Sequence, residues 1–270
     1  MIDLHIVSGL YFVTLTNPAT RNALNEKIMA GLEAALDAAS GDAFARAVIL
    51  RGSQGHFCSG GDFGKFAAMM AEEKTEPDTI ANYNRDFGRL LEKMIACDVP
   101  LLALVDGAAM GGGVGLAAAC DHVIATENAK FAMPETTLGL PPAQIAPFVA
   151  MRLGVTAARG LMLNATRLTA REAQARGLVD EVVSDAEALK TAALTWLNQL
   201  GRAEPHSIRA TKAILARSRV ASLSTTLDYA AEQFAKALRS GTAAEGIASF
   251  TEKRSPWWRV ELLSWPDLPA

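Results

Sequence analysis

Apolar residues along the first half of the chain switch repeatedly between two periods. Residues 4–16 are rich in β-branched and aromatic side chains and break at Ser8-Gly9, which predicts a hairpin. Leu24, Ile28, Leu32, Leu36 and Ala39 then recur every three or four positions, the stripe of an amphipathic helix. The short run Ala47-Val48-Ile49-Leu50, closed by Arg51-Gly52-Ser53, reads as a buried strand and turn. A helix over 80–96, a strand over 101–105, a helix opening in the glycines at 111–113, and short strands at 122–126 and 130–133 follow. Such alternation predicts an α/β layered core.

The second half is mostly helical. Three hydroxyl–glutamate pairs at capping-box spacing, Thr169 with Glu172, Ser184 with Glu187 and Thr242 with Glu245, mark expected helix starts. Residues 178–183 are the one strand expected there. The charged, proline-bearing stretch 72–78 reads as a mobile loop. The basic residues Arg202, Arg209, Lys212, Arg217 and Arg219 read as the solvated face of a helix.

Composition narrows the function. Lys and Arg number 26 against 29 Asp and Glu, a net charge of −3, which argues against a phosphate-backbone binder and hence against nucleic acid. Cys58, Cys97 and Cys120 are too few and too scattered for a disulfide framework. No CxxC or HExxH motif points to a metal. The most apolar region, 99–120, is interrupted by Asp106 and five glycines, so it reads as strand, turn and helix rather than a membrane span. The N-terminus lacks the pattern of a signal peptide, and a cytoplasmic enzyme is expected.

Three segments carry candidate chemistry. Residues 56–63 hold Ser59-Gly60-Gly61-Asp62, and residues 106–115 hold Gly111-Gly112-Gly113-Val114-Gly115. Each follows an expected strand and exposes backbone N–H groups. Each is compatible with a tight-packing turn or with half of an oxyanion-binding site. Neither matches the dinucleotide fingerprint GxGxxG. In the third segment, Glu135 stands among apolar and proline residues. Buried, it would have a raised pKa suited to proton transfer; exposed, it would be an ordinary turn glutamate.

Taken in order, these segments resemble the enoyl-CoA hydratase/isomerase (crotonase) superfamily over nearly the whole chain. The resemblance runs from Asn17-Pro18 and Arg21-Asn22-Ala23-Leu24-Asn25 through Phe57-Cys58-Ser59-Gly60-Gly61-Asp62, the triple glycine, Ala119-Cys120-Asp121 and Pro134-Glu135-Thr136-Thr137-Leu138-Gly139. It continues to Ala175-Arg176-Gly177-Leu178-Val179 and Phe250-Thr251-Glu252-Lys253-Arg254. It implies an α/β fold: a spiral of ββα units over 1–200, then a C-terminal helical trimerisation region over 201–270. It also implies a homotrimer or homohexamer acting on an acyl-CoA, with no cofactor because coenzyme A is part of the substrate. Carried over by position, the N–H groups of Ser59 and Gly112 hold the thioester oxygen, and Glu135 is the acid/base. Arg21, Ala23, Leu24, Asp62 and Phe63 approach the CoA moiety, with Phe250 and Lys253 from a neighbouring helix or subunit. Phe66, Met69, Met70, Tyr83, Phe87 and Gln144 shape the acyl pocket.

One departure stands out. Typical hydratases of the family carry a second glutamate two residues after the triple glycine, where this chain has Gly115. The segment after Glu135 resembles single-glutamate members of the isohexenylglutaconyl-CoA hydratase kind. Hydration of an enoyl-CoA is therefore the leading expectation, with room at Gly115 for a branched or carboxylated, 3-substituted glutaconyl-like acyl group. The alternatives are a Δ3,Δ2-enoyl-CoA isomerase and, from another class, an inactive acyl-CoA-binding subunit. A dienoyl-CoA isomerase is disfavoured because its second acid would fall at Ala143.

Overall fold

The computed structural model describes residues 1–72, 76, 78–262 and 264–268, apart from the side chain of Phe63. The elements run β1 (Ile2–Val7), β2 (Leu10–Leu15), α1 (Glu26–Gly41), β3 (Ala47–Gly52), α2 (Phe63–Glu72), α3 (Thr79–Ala96), β4 (Leu101–Val105), β5 (Ala108–Met110) and α4 (Gly112–Ala118). They continue with β6 (His122–Thr126), β7 (Lys130–Ala132), a 3-10 turn (Glu135–Leu138), α5 (Ala146–Leu153), α6 (Val155–Leu163), β8 (Arg167–Thr169), α7 (Ala170–Ala175) and β9 (Glu181–Val183). The chain closes with α8 (Ala186–Leu200), α9 (Pro205–Arg217), α10 (Leu223–Arg239) and α11 (Thr242–Glu252).

A six-stranded sheet in the order β1-β2-β3-β4-β6-β9 is parallel except for the β1–β2 hairpin, and a three-stranded sheet has the order β5-β7-β8. From β4 to β7 successive strands alternate between the sheets. β4 and β6 lie in the large one, while β5 and β7, each a few residues further on, pair in the small one. That alternation is the spiral of ββα units.

Both faces of the large sheet are covered, which is why its strands read as continuous apolar runs. Tyr11, Val13, Val48, Leu50, Leu101 and Ala103 face the main core with α1, α3 and α4. Their alternates Leu10, Phe12, Ala47, Ile49, Leu102 and Leu104 pack under α8 and the C-terminal segment. There Trp265 meets Phe12 edge-on at 5.2 Å.

Several expectations need correction. The strand expected over 178–183 shortens to β9, and β8 is a second strand in that half, paired antiparallel to β7. α2 carries no long periodic stripe and escaped the sequence reading. The loop expected at 72–78 lies largely outside the described residues. Thr169 and Glu172 do form a reciprocal capping box. Ser184 does not cap α8; it hydrogen-bonds Asp185, whose Oδ1 accepts from Glu187 N at 3.0 Å and Ala188 N at 2.9 Å. Thr242 lies inside α11, whose N-cap is Gly241, and Glu245 pairs instead with Arg254.

The basic run divides: Arg202, Arg217 and Arg219 are exposed as expected, but Arg209 and Lys212 are not part of a solvated face. Arg209 turns inward to Asp98 and to the carbonyls of Ser40 and Asp42, and Lys212 to Asp121 and the Val99 carbonyl. Arg217 lies over the Tyr229 ring. Cys58, Cys97 and Cys120 are free and buried, and burial pushes the Cys58 and Cys120 thiols up to about 12. No helix among the described residues is long and apolar enough to cross a membrane.

The α8 cap gives a direct check. Asp185→Ala is expected to lower Tm by about 2–4 °C, the usual consequence of losing an N-cap in a chain of this size, and Ser184→Ala by well under half of that. Equal shifts in thermal melts of the two variants would return the cap to Ser184.

Candidate active site

The site is built where two backbone turns cross. Leaving β3, the chain runs through Phe57 to Cys58, which bridges in parallel to Ala109. Cys58 N donates to the Ala108 carbonyl, and Met110 N to the Cys58 carbonyl, both at 2.9 Å. Beyond that bridge each strand must turn within two residues. Gly60 turns with φ +93, and a Cβ there would stand 2.9 Å from the Met110 carbonyl oxygen and 3.7 Å from Gly112 N. Gly111 turns with φ +49 and donates its N–H to the Ala132 carbonyl at 2.8 Å. Glycine suits both positions, because positive φ and backbone-to-backbone approach both exclude a side chain.

Gly112 opens α4, so its N–H belongs to the first turn and has no intrahelical acceptor. The Gly112 nitrogen lies beside the 59–61 turn, 3.7 Å from where a Cβ on Gly60 would stand. On the outer side of that turn, Leu24 N donates to the Gly60 carbonyl at 2.7 Å. Asn22 is buried and donates through Nδ2 to the carbonyls of Ser53 and His56, while its Oδ1 accepts from Asn17 N. The 17–24 segment thereby holds the turn in place. Sequence reasoning quoted Asn22 within a motif but gave it no role.

Ser59 is corrected by this arrangement. Its N–H donates to the Arg21 carbonyl at 3.1 Å and its hydroxyl to the Thr20 carbonyl at 2.7 Å, so both donors are committed to the fold. Two residues on, the bridge between Gly61 and Leu24 uses the Gly60 carbonyl. No backbone hydrogen bond from the Gly61 N–H occurs among the described residues. Gly61, not Ser59, offers the donor next to Gly112.

Glu135 arrives from the third segment. Its 3-10 turn is tied down by Thr137 Oγ1 to the Pro134 carbonyl at 2.7 Å, Leu140 N to the Glu135 carbonyl at 3.0 Å, and Thr136 Oγ1 to the Met162 carbonyl of α6 at 3.1 Å. This delivers the carboxylate onto Gly111: a Cβ on that glycine would stand 2.5 Å from Glu135 Oε1. The other oxygen, Oε2, is buried with no hydrogen-bond partner among the described residues. Burial pushes the Glu135 carboxyl above its ordinary value, against a smaller opposing pull from a backbone hydrogen bond.

The surroundings of the glycines are apolar. Leu24 Cδ1 and the Phe87 ring cover Gly112, and the Phe66 ring covers Gly61. The space expected at Gly115 is filled: a Cβ there would meet Ile145 Cγ2 at 2.5 Å and Leu91 Cδ1 at 3.6 Å. No carboxylate or branched acyl group fits that spot with Ile145 in place.

The remaining expected site residues divide. Ala23 and Leu24 are buried beside the turn, and Arg21 is exposed next to it. Asp62 Oδ1 accepts from Gly64 N at 2.9 Å and Lys65 N at 3.3 Å, capping the start of α2. The Phe63 side chain lies outside the described residues. Met69 is fully buried, but Met70 is 61% exposed, because it lies on the outer side of α2 and lines no pocket in the single chain. Phe250, 87% exposed, and Lys253 are on or next to α11, which packs against α10; the single chain does not bring them to the glycine turns. Gln144 lies on the α3 side, donating through Nε2 to Asn84 Oδ1 at 3.1 Å.

Comparison with known proteins identifies this architecture. A family model described as enoyl-CoA hydratase/isomerase matches residues 5–261. The chain belongs to the enoyl-CoA hydratase/isomerase family. It is therefore an enzyme of the crotonase superfamily. Over 245 residues it is 33% identical to the 2,3-dehydroadipyl-CoA hydratase of Escherichia coli K12, covering 90% of this chain and 92% of that one. A solved enoyl-CoA hydratase/isomerase from Marinobacter aquaeolei is 38% identical with a TM-score of 0.91, covering 96% of this chain and 99% of its own. AtuE of Pseudomonas aeruginosa is 42% identical, with the same TM-score of 0.91 and the same coverage of 96% and 99%.

Two outcomes follow from the burial at this site. A carboxyl whose folded-state pKa is raised destabilises the fold only when ionised. The penalty is absent well below the ordinary value of 4.5 and grows as pH rises through the folded pKa. Glu135→Gln should therefore raise Tm at pH 8 and leave it unchanged at pH 3.5; a variant less stable than wild type at pH 8 would contradict the burial argument. Gly115→Glu should lower stability by at least about 1–3 kcal/mol through overpacking against Ile145, with part recovered in Gly115→Glu combined with Ile145→Ala. Denaturant melts of the single and double variants decide this, and a single variant as stable as wild type would show that the space is free.

Proposed function

We propose that the enzyme adds water across the C2–C3 double bond of an enoyl-CoA thioester. The observation that carries this reading is the placement of Glu135, half-buried and without a partner at Oε2 among the described residues, over Gly111 and next to the start of α4, where the Gly112 N–H has no intrahelical acceptor. The thioester oxygen sits between the N–H groups of Gly112 and Gly61. Glu135 takes a proton from water as its oxygen bonds to C3. The π electrons move onto the thioester as an enolate, which the two N–H groups stabilise as its charge develops. Glu135 then returns a proton to C2. Water is consumed, the carboxylate is regenerated, and the apolar cover from Leu24, Phe66 and Phe87 keeps the donors in a low-dielectric setting where they act most strongly.

Coenzyme A enters as part of the substrate. Arg21, Ala23, Leu24, Asp62 and Phe63 border the route to the turn, and Phe250 and Lys253 reach a CoA moiety from a neighbouring copy in a homotrimer or homohexamer. The large apolar side chains that α10 and α11 expose in the single chain, Leu223, Leu227, Phe234, Leu238 and Ile247 among them, support that assembly.

A second reading, a Δ3,Δ2-enoyl-CoA isomerase, is favoured by one observation: Ile145 fills the space at Gly115, leaving Glu135 to work without a second carboxylate there. Moving one proton between C4 and C2 requires a single carboxylate and no water.

Reaction in H2-18O separates the two, because only hydration places the label in a 3-hydroxyacyl product. Label is expected in the product of a 2-enoyl-CoA, and a shifted double bond without label would favour isomerisation. In either case Glu135→Gln should cost about 10²–10⁴ in kcat. A folded variant with wild-type turnover would remove Glu135 from the mechanism. For hydration, kcat/KM should rise with pH through a pKa above the ordinary carboxylate range, since Glu135 must be ionised to accept the water proton.

A further inference from the structure

The large sheet ends in two unlike edges. β9 offers three residues, whereas β1 offers six, with no lysine or proline among them. Short length, lysine and proline are common protections of a sheet edge, and β1 has none of them. Its register against β2 fixes which backbone groups are free. Thr16 N donates to the Met1 carbonyl at 2.9 Å, and Val7 faces Leu10 across the Ser8-Gly9 turn. Bonded and unbonded pairs alternate along an antiparallel ladder, so Asp3, His5 and Val7 turn their N–H and C=O groups towards β2. Ile2, Leu4 and Ile6 turn theirs outward, and no hydrogen bond to these groups occurs among the described residues. The side chains of the same three residues lie on the α1 face, opposite Leu15, Val13 and Tyr11. α1 covers Ile2, whose Cγ1 would stand 2.6 Å from a Cβ on Gly31, but leaves Leu4 and Ile6 exposed.

We propose that the free edge of β1 docks β1 of a second copy of this chain, the two strands running antiparallel about a two-fold axis at Leu4. The strand's own sequence selects that partner and that register. An axis at Leu4 sets Leu4 opposite Leu4 of the copy and Ile2 opposite Ile6, so all three outward residues of each strand enter bonded pairs. It also sets Asp3 opposite His5 of the copy, and by symmetry His5 opposite Asp3, a carboxylate facing an imidazole that can donate to it. These fall at unbonded positions, where facing side chains stand closest. An axis at Asp3 would oppose two carboxylates and carry Ile6 past the end of the facing strand; an axis at His5 would oppose two imidazoles and carry Ile2 to the turn at Ser8. On the α1 face the exposed Leu4 and Ile6 side chains are covered by their counterparts. The contact is isologous and closes on itself, making one sheet continuous through both copies. It uses no residue of the Gly112 site and none of α10 or α11, so it adds to an assembly built through those helices and turns a homotrimer into a homohexamer.

The test is the mass of the full-length protein in solution, by light scattering or sedimentation. The wild type is expected as an even-numbered assembly. Leu4→Lys sets like charges across the axis and should split that assembly into halves at the same protein concentration. His5→Asp should do the same by facing Asp3 with a second carboxylate. Exchanging the two residues, Asp3→His with His5→Asp, should restore the wild-type mass, which general damage to the strand would not do. Cross-linking reads the register. Facing Cα atoms of a bonded antiparallel pair lie about 5.5 Å apart, within disulfide reach, so Leu4→Cys should give a covalent dimer under mild oxidation. In Ile6→Cys the introduced thiols lie about 13 Å apart along the strands, and only uncrosslinked chain is expected on a denaturing gel. The three native cysteines are free and buried. A monomeric or odd-numbered wild type overturns the proposal. So does a Leu4→Lys mass equal to that of the wild type, an exchange variant that stays split, or cross-linking of Ile6→Cys as readily as Leu4→Cys. No readout involves a substrate, so none of these failures bears on the acyl-CoA reading.

Discussion

The crossing of the 58–61 and 110–112 segments is the constraint from which the site follows. Two main chains pass closely enough that a Cβ on Gly60 would press on the Met110 carbonyl, and one on Gly111 would strike Glu135. The close approach leaves the backbone itself as the working surface. A Cβ on Gly60 would lie 3.7 Å from Gly112 N, and one on Gly111 2.5 Å from the Glu135 carboxylate, so no side chain stands between these groups. Their rigidity comes from behind. The Cys58–Ala109 bridge joins the segments, and Asn22, with its carboxamide spent on three backbone groups, braces the loop that feeds the first of them. Donors fixed in this way need little reorganisation when charge develops in front of them.

Against that surface, Glu135 is a single ionisable group in an apolar frame. It sits on a 3-10 turn fastened to α6, and its Oε2 is buried with no hydrogen-bond partner among the described residues. Ile145 matters as much as the glutamate. By filling the space at Gly115 it turns what would be a second polar position into part of a hydrophobic wall. The first glycine of the triple run therefore admits a carboxylate, while Gly115, four residues on, admits an aliphatic side chain.

Much of this was legible in the sequence because the relevant signals are local. The period-2 strands, the helical stripe of α1 and the glycine clusters each depend on neighbours a few residues apart, and the large sheet and the start of α4 came out where those patterns lie. Apart from α2 and β8, which are short and carry little periodic signal, the misreadings involve partners distant in sequence or a choice between adjacent candidates. Ser59 looked like a donor because its neighbours are glycines, yet its N–H is claimed by Arg21, 38 positions earlier in the chain. Gly115 looked like space because a glycine has no side chain, and the side chain that fills the space belongs to Ile145, 30 positions on at the N-cap of α5. Ser184 and Asp185 are both good caps, and only backbone geometry chooses between them. Arg209 and Lys212 carry the composition of a solvated face, but Asp98 and Asp121 and the carbonyls beneath them draw the charges inward.

The bridge between Cys58 and Ala109 also dictates when the site can exist during folding. β3, β4 and β6 are parallel, so each pairing must wait for an intervening helix and the closure of a long loop. The donor turn, the start of α4 and the glutamate come from three successive passes of the spiral. Nothing in the β1–β2 hairpin, the one contact here that can form quickly, assembles any part of them. A chain halted with its first sheet strands paired would bury much apolar surface and still lack the place where Gly60, Gly111 and Glu135 meet. Competence for chemistry is thus acquired late, and a destabilised variant would lose it by failing to complete the spiral before it lost its secondary structure.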